Sequence, residues 1–303
     1  VYLLVYHTID ECEPVSSPLH ITSGDRAGEA LAGAGLEGEI LVWHDLLYDG
    51  PRTPGWPDND ALGRRAVFIE EMTAGGLSRS EVLDTFISQY VRIADLPSDA
   101  EIVLWFDACL FDQSMLVHLV SCLHHQGITN NVQLLCIDRF QGIEPYIGLG
   151  QLDSAQLGSC YHLRQPVSDI HFDFSREVDE VLAERDLNRA AALSRWEEAP
   201  LRWVPAALQR WLQEEPDPKT GLGRLEAMAL EAVRRGCLQP WDIFNYVAAA
   251  ETPPQFWGDT TLWMKINGLA DRRPPLVRIE GPTPRLPQWI DGPDLQEFEI
   301  SSC

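Results

Sequence analysis

Four short apolar segments recur along the first half of the chain, and acidic or small polar residues follow each of them. They are LHIT (19–22), EILVW (39–43), EIVLWF (101–106) and VQLLCI (132–137). Between them, apolar spacing predicts helices over 26–34, over 60–94 with a break near residues 75–76, and over 112–126. Continuous apolar strands that alternate with helices are typical of a parallel sheet covered on both faces. The pattern therefore predicts an α/β fold with a Rossmann-like open parallel sheet.

The last third of the chain has a different pattern. Residues 201–285 contain a helical segment at ALQRWLQEE (207–215). Three more follow, at LEAMALEAVRRG (225–236), PWDIFNYVAAA (240–250) and DTTLWMKINGLA (259–270), and these three precede the short apolar run PLVRIEG. This layout predicts a mostly α-helical, winged-helix-like module. We expect residues 1–18 to be a lead-in segment, 19–166 the α/β domain and 167–200 a charged helical connector. Residues 286–303 are expected to form an acidic tail that is draped on the surface or disordered.

The charge of the chain is unevenly distributed. Of 303 residues with a formal net charge of −23, residues 1–200 hold 32 acidic and 12 basic side chains, and residues 201–303 hold 14 and 11. The first two-thirds should therefore repel a polyanion such as nucleic acid. DNA binding by the C-terminal module stays open but is not favoured, because its last helical segment has only Lys265 as a basic residue.

Cysteine use and hydropathy indicate a cellular compartment. The seven cysteines are scattered without a CxxC pair, which argues against a disulfide framework or a zinc ribbon and for a reducing environment. No segment has the length and apolarity of a membrane span, and VYLLVY at the start is too short for a secretory signal. We therefore expect a cytoplasmic protein without a membrane partner.

Four aspartates follow the predicted strands: Asp25, Asp45, Asp107 and Asp138. In a parallel sheet the carboxyl ends of the strands lie at one edge, where α/β proteins bind ligands. Aspartate is also a common helix cap and turn residue, so each position alone has a structural explanation. Four together favour a ligand site at this edge.

The turn Ser23–Gly24–Asp25 predicts the chemistry of that ligand. Gly24 would let a ligand approach the backbone at a helix start, whereas Asp25 would oppose a bare phosphate there. A hydroxyl-rich ligand such as a ribose, or a phosphate carried with Mg²⁺, would suit the turn better.

Metal binding and proton transfer are the alternative chemistry of this edge. Asp25, Asp45 and Asp112 are the candidate ligands of a Mg²⁺ or Mn²⁺ ion. His44 and Asp107 are the candidates for moving a proton.

Several motifs resemble one bacterial protein family. HITSGD (20–25), ILVWHDLLYDGP (40–51) and VLWFDACLFDQSMLVHLV (103–120) resemble the family known as domain of unknown function eighteen thirty-five. IGLGQL (147–152), GLGRLEAMALEA (221–232) and WGDTTLW (257–263) resemble its longer members. The resemblance spans about residues 19 to 280. It implies functional polar positions at Gly24, Asp25, Asp45, Gly50, Pro51, Asp112 and Gln113.

Three functions follow from these observations. The favoured one is binding of a small polar, nucleotide-like ligand at the strand ends, through Ser23, Gly24, Asp25, Asp45, Gly50, Asp112 and Gln113. The second is a metal-dependent phosphoester hydrolase or transferase. The third is a DNA-binding regulator that acts through residues 240–280. The missing nucleophile motif and the absence of lysine near the strand ends argue against the enzyme.

Overall fold

The computed structural model describes residues 17–255, 257–290 and 292–303, so most of the expected lead-in segment lies outside the described residues. The strands of the main sheet are β1 (Leu19–Ser23), β2 (Glu39–Trp43), β3 (Ile102–Asp107), β4 (Val132–Ile137) and β5 (Gln165–Pro166). Their order is β2-β1-β3-β4-β5, with the first four parallel and β5 antiparallel to β4. The predicted α/β class and open parallel sheet are confirmed.

Helices cover both faces of this sheet. The α-helices of the described residues are, in chain order, α1 (Asp25–Ala32), α2 (Asn59–Met72), α3 (Arg79–Ala94), α4 (Leu110–His125), α5 (Ser154–Ser159), α6 (Asp169–Glu184), α7 (Leu187–Leu193), α8 (Val204–Leu212), α9 (Arg224–Arg234), α10 (Pro240–Ala250) and α11 (Asp259–Asp271). Helices α1 and α5 pack on one face, while α2, α3, α4 and α6 pack on the other. Strand β3 is buried on both sides, with Leu104 facing one core and Trp105 the other. This double burial explains why the strands read as unbroken apolar runs.

The strand order changes direction next to β1. From β1 the chain crosses to β2 on one side, and it later returns to β3 on the other side. In doubly wound sheets a crevice opens where such neighbouring strands send their chains to opposite faces. Here that point lies at the carboxyl ends of β1 and β3, where Ser23 and Asp107 stand.

The first core extends further along the chain than we expected. Residues 167–200 are not a connecting arm, because α6 buries Phe172, Phe174 and Val181 against the sheet domain. Helix α8 also belongs to this core through Leu208 and Trp211. The alternating charges of α6, from which we predicted a connector, lie on its outer face. The apolar residues on its inner face determine that it packs against the sheet domain.

A second core follows, built by α9, α10, α11 and a small antiparallel pair, β6 (Val277–Glu280) and β7 (Glu299–Ser302). The expected acidic tail is part of it, which corrects our prediction for residues 286–303. Leu286, Phe298 and Ile300 are buried, and β7 pairs with β6. A few apolar residues suffice to hold an otherwise polar segment when they meet an existing core.

Among the described residues, no helix combines the length and apolarity that crossing a bilayer needs. The six cysteines in that part of the chain are free thiols: Cys109, Cys122, Cys136, Cys160, Cys237 and Cys303.

Candidate functional site

A cleft of about 1010 Å³ opens at the carboxyl ends of β1 and β3. The sheet domain supplies its floor and two walls, and the second core supplies a third wall. Apolar side chains of α2 and α3 form one wall: Ile69, Met72, Leu77, Val82 and Phe86. The second core contributes Trp257, Gly258, Asp259, Thr260, Thr261 and Trp289. Most ligand sites combine such apolar walls with a few convergent polar groups.

The floor of the cleft contains two buried carboxyl groups, Asp107 at the end of β3 and Asp112 in the first turn of α4. Asp112 accepts a hydrogen bond from the Ser23 hydroxyl at 2.5 Å and from the backbone N–H of Asp107 at 2.6 Å. Asp107 accepts one from the backbone N–H of Cys109 at 3.0 Å. These bonds arise because β1 and β3 are adjacent and parallel, so both strands end at the same level.

Burial and mutual repulsion change the charge state of this pair. Desolvation raises the pKa of Asp107, and desolvation together with the negative charge of Asp107 raises the pKa of Asp112 well above its ordinary value. Burial and the two carboxylates also raise the pKa of the Cys109 thiol. The floor therefore disfavours two negative charges on the pair, and it favours the neutral form of the thiol beside it.

Asp25 and His44 meet at the mouth of the cleft. Asp25 begins α1 and His44 follows β2, and the His44 Nε2 lies 2.7 Å from an Asp25 carboxylate oxygen. The side chains are 74% and 48% exposed, so water screens this pair. Gln89 exchanges two hydrogen bonds with the backbone of His44 and holds the end of β2 in place. His44 thus lies within reach of a ligand, as a proton-transfer residue would need to.

Asp45 has a different environment from Asp25, although both line the cleft. Its carboxylate accepts a hydrogen bond from Nε of Arg65 at 2.7 Å, and both side chains are almost fully buried. The same guanidinium donates to the carbonyl groups of Leu46 and Asp49. Asp45 and Arg65 therefore organise the loop after β2, and the carboxylate of Asp45 is already neutralised.

The remaining expected positions lie behind or away from the cleft. Gly50 has a φ of 77° and packs so closely on Phe68 that an added Cβ would lie 2.4 Å from its ring. Pro51 accepts a hydrogen bond from Arg65 in the same loop. Gln113 is buried and donates to the carbonyl of Asp107, so it supports the floor from beneath. Asp138 pairs with its neighbour Arg139 and does not line the cleft.

The second core contributes polar contacts that the sequence analysis did not identify. Gln255, buried before α11, donates to the carbonyl of Ala108 at 3.0 Å and accepts from the N–H of Leu110 at 2.9 Å. The hydroxyls of Tyr48 and Thr261 lie 3.2 Å apart across the two cores. The sequence contains one signal for these contacts, the WGDTT motif (257–261). In this motif a polar helix start follows an aromatic residue.

Gly148 closes the floor from the loop before α5. Its φ is 154°, and a Cβ at this position would lie 2.5 Å from an Asp107 carboxylate oxygen. The absent side chain allows the following N–H, of Leu149, to reach the same oxygen at 3.4 Å. Only glycine fits this approach without displacing the carboxylate.

A possible ion site within the described residues combines Asp107, Cys109 and Asp112, whose ligand atoms lie within 4.8 Å of one another. This set shares only Asp112 with the set that we expected, because Asp45 is bound to Arg65 and Asp25 to His44. Two carboxylates with a thiol suit Zn²⁺ better than the oxygen-seeking Mg²⁺.

Fold and cleft together define an α/β protein with a mostly parallel sheet, a helical C-terminal part, and a strand-end cleft between them. The chain matches no protein-family model, and no curated protein matches it either. The resemblance to domain of unknown function eighteen thirty-five therefore stays a prediction.

Proposed function

We propose that this protein binds a small polar ligand of nucleotide-like size in the strand-end cleft. The observation that carries the proposal is the position of the cleft at the point between β1 and β3 where the strand order changes direction. A buried carboxyl pair forms its floor, and aromatic side chains form its walls. A volume of about 1010 Å³ is sufficient for a ligand with a ring system and several polar groups.

The buried carboxyl pair supports binding over a purely structural role. Burying two acidic groups without a basic partner costs folding free energy. In the part of the chain that the structure describes, neither Asp107 nor Asp112 pairs with an arginine, lysine or histidine. Groups that are maintained at such a cost, in a cleft, are characteristic of functional sites.

A ligand screen tests the proposal. Nucleosides, nucleotides, sugars and other small metabolites would be screened against the full chain by saturation-transfer NMR. We expect at least one class to bind, and we expect Phe111→Ala, which removes a half-buried ring from the cleft wall, to weaken that binding. Ile87→Ala is the matched control, because Ile87 is an exposed apolar residue of α3 that does not line the cleft. Hits that are equally affected by both variants, or no hits at all, would contradict the proposal.

A metal-assisted hydrolase or transferase is a second candidate, and the closeness of Asp107, Cys109 and Asp112 favours it. An ion bound there would replace the proton that the pair holds and would deprotonate the Cys109 thiol. We expect Zn²⁺ or Mn²⁺ to raise the melting temperature through binding to the folded state, and Cys109→Ser to reduce the rise for Zn²⁺. A melting temperature that no divalent ion changes would argue against this candidate.

DNA regulation through a winged-helix-like module gains less support. The third helix of that arrangement would be α11, whose residues 261–270 are all buried or half-buried. Its start lines the cleft, and Gln288 behind it donates to the carbonyl of Met72 on α2. A helix that is packed in this way presents little exposed surface to a major groove.

A further inference from the structure

The charges around the cleft narrow the class of ligand that it can take. Six described carboxylate residues line it: Asp25, Asp45, Glu81, Asp107, Asp112 and Asp259. Arg65 neutralises Asp45. Of the lysines and arginines in the described ranges, only Arg26 lines the cleft, and it lies exposed at the mouth. A phosphate entering the cleft would therefore meet negative charge at the mouth and at the floor.

Helix starts are the usual anion sites in such folds, and three of them border this cleft. At two of them, α4 and α11, an oxygen of the protein itself occupies the position that an anion would take. At α1 no side chain caps the helix start, and the carboxylate of Asp25, its first residue, lies 2.7 Å from His44 Nε2 and adds negative charge beside that start. At α4, Asp107 accepts from the N–H of Cys109, and Gln255 accepts from the N–H of Leu110. At α11, Asp259 accepts from the N–H of Thr260 at 2.8 Å.

The floor instead suits hydroxyl groups. An ionised carboxyl group offers only acceptors, and a protonated one adds a single donor. Asp107 and Asp112 together therefore suit a ligand with two neighbouring hydroxyl groups. Each hydroxyl can donate a hydrogen bond to a carboxyl oxygen and accept one from another group. The Ser23 hydroxyl, which donates to Asp112 at 2.5 Å, already shows this type of contact within the protein.

The walls suit a planar ring. Tyr48 lies edge-on to Trp257, with ring centres 5.1 Å apart, and edge-on to Phe111, with ring centres 6.4 Å apart. All three rings line the cleft. Aromatic faces of this kind stack on flat heterocycles with little cost in conformational entropy.

We infer that the cleft takes an uncharged nucleoside-like ligand, with its hydroxyls on the Asp107–Asp112 floor and its ring against the aromatic wall, and that it excludes the phosphorylated form. This inference rests on the proposed function and narrows its ligand to one class. The exclusion of phosphate comes from the carboxylates at the mouth and from the occupied starts of α4 and α11.

The test compares the four ribonucleosides with their 5′-monophosphates, by calorimetry on the full chain in the presence of a chelator. We expect a nucleoside to bind at least about tenfold more tightly than its monophosphate at low ionic strength. The ratio of nucleoside affinity to monophosphate affinity should fall at high salt, because salt screens the exposed carboxylates of Asp25 and Asp259 at the mouth of the cleft. The double variant Asp25→Asn with Asp259→Asn should strengthen monophosphate binding more than nucleoside binding, and so reduce the ratio of the two affinities.

Asp173→Asn is the matched control, since Asp173 is an exposed carboxylate of α6 outside the cleft. It should change neither affinity. Monophosphates that bind as tightly as nucleosides would overturn the inference, and so would a double variant that behaves like the control. If the metabolite screen yields other ligands but no nucleoside, the inference fails while the proposed function stands. If nothing binds at all, both fail.

Discussion

Asp107 and Asp112 link the chemistry of the cleft to the stability of the fold. Burial raises the pKa of both groups relative to the unfolded chain, and the charge of Asp107 raises that of Asp112 further. A raised pKa means that the folded protein retains a proton which the unfolded chain releases near pH 4. The stabilisation is complete below that pH and is lost as the pH rises through the folded-state pKa of the pair.

Asp112→Asn should reduce this pH dependence and leave only the part that the buried Asp107 contributes. The amide of the variant cannot ionise. When its oxygen accepts from the N–H of Asp107, its NH₂ group can donate to the hydroxyl of Ser23. We expect the free energy of unfolding of the unmodified protein to fall relative to that of the variant as the pH increases above about 4, by up to about 1.4 kcal/mol per pH unit. Urea unfolding at a series of pH values measures this difference. Parallel pH profiles for the two proteins would contradict it.

Gly148 offers a second test at the scale of single residues. Gly148→Ala should destabilise the protein by about 1–3 kcal/mol more than alanine at a positive-φ position with open space around it, because its Cβ would also press on the Asp107 carboxylate. Gly142→Ala is the control: Gly142 also has a positive φ, of 88°, but an added Cβ there would meet no described atom within 4 Å. We expect Gly142→Ala to cost about 1–2 kcal/mol, which is the backbone penalty of a positive φ alone. Equal losses in thermal or urea unfolding would show that the contact with Asp107 is unimportant.

At the scale of elements, one buried ionic cluster fastens the loop after β2 to α6. Asp179 of α6 accepts hydrogen bonds from Arg52 and from the N–H of Gly55, and His118 of α4 lies 3.1 Å from it. Burial lowers the pKa of Arg52 to about 10, and burial with the nearby positive charge of Arg52 holds the pKa of His118 well below its ordinary value. His118 is therefore neutral, and Asp179 balances the charge of Arg52.

Asp179→Ala should destabilise the fold by about 3–5 kcal/mol, because it leaves the Arg52 guanidinium buried without a counter-charge. Asp173→Ala on the same helix should cost less than about 0.5 kcal/mol, since Asp173 is 67% exposed. Chemical denaturation of both variants measures the difference. A loss at Asp179 as small as that at Asp173 would exclude the buried cluster as a main attachment of this loop.

At the scale of the whole molecule, the cleft exists only where the two cores meet. Gln255 completes the turn between β3 and α4 from the second core, and Trp257 forms part of the wall. Arg210 of α8 binds Glu251 at the end of α10, and both side chains are almost fully buried. Ligand binding and the association of the two cores should therefore be coupled.

Gln255→Ala should weaken this association by about 1–3 kcal/mol, because the N–H of Leu110 and the carbonyl of Ala108 lose their buried partner. Gln296→Ala, at an exposed glutamine of the same core, is the matched control and should have little effect. Hydrogen exchange at the backbone amide of Leu110 gives a local readout. Protection that is unchanged in Gln255→Ala would contradict the role assigned to this side chain.

Local patterns were sufficient to predict the four parallel strands and the helices between them, but not β5. β2 and β4 have the predicted bounds, β1 is one residue longer at its end, and β3 is shifted by one residue. Such runs are informative because a strand buried on both faces must be apolar throughout. The extent of each core was harder to predict. Helices α6 and α8 belong to the first core, and residues 286–303 belong to the second. The periodicity of a helix indicates that one of its faces is buried, but it does not indicate which part of the protein covers that face.

The sequence by itself determined that acidic side chains stand at the ends of parallel strands. It also determined that these ends share one edge, because the predicted strands are parallel. Only the tertiary structure decided which carboxylates remain free for a ligand. Asp45 is neutralised by Arg65, 20 residues away, whereas Asp112 meets Ser23 across 89 residues and the floor meets Gln255 across 145. The charge and proton occupancy of a carboxyl group depend on which atoms surround it, and packing between distant segments sets those surroundings.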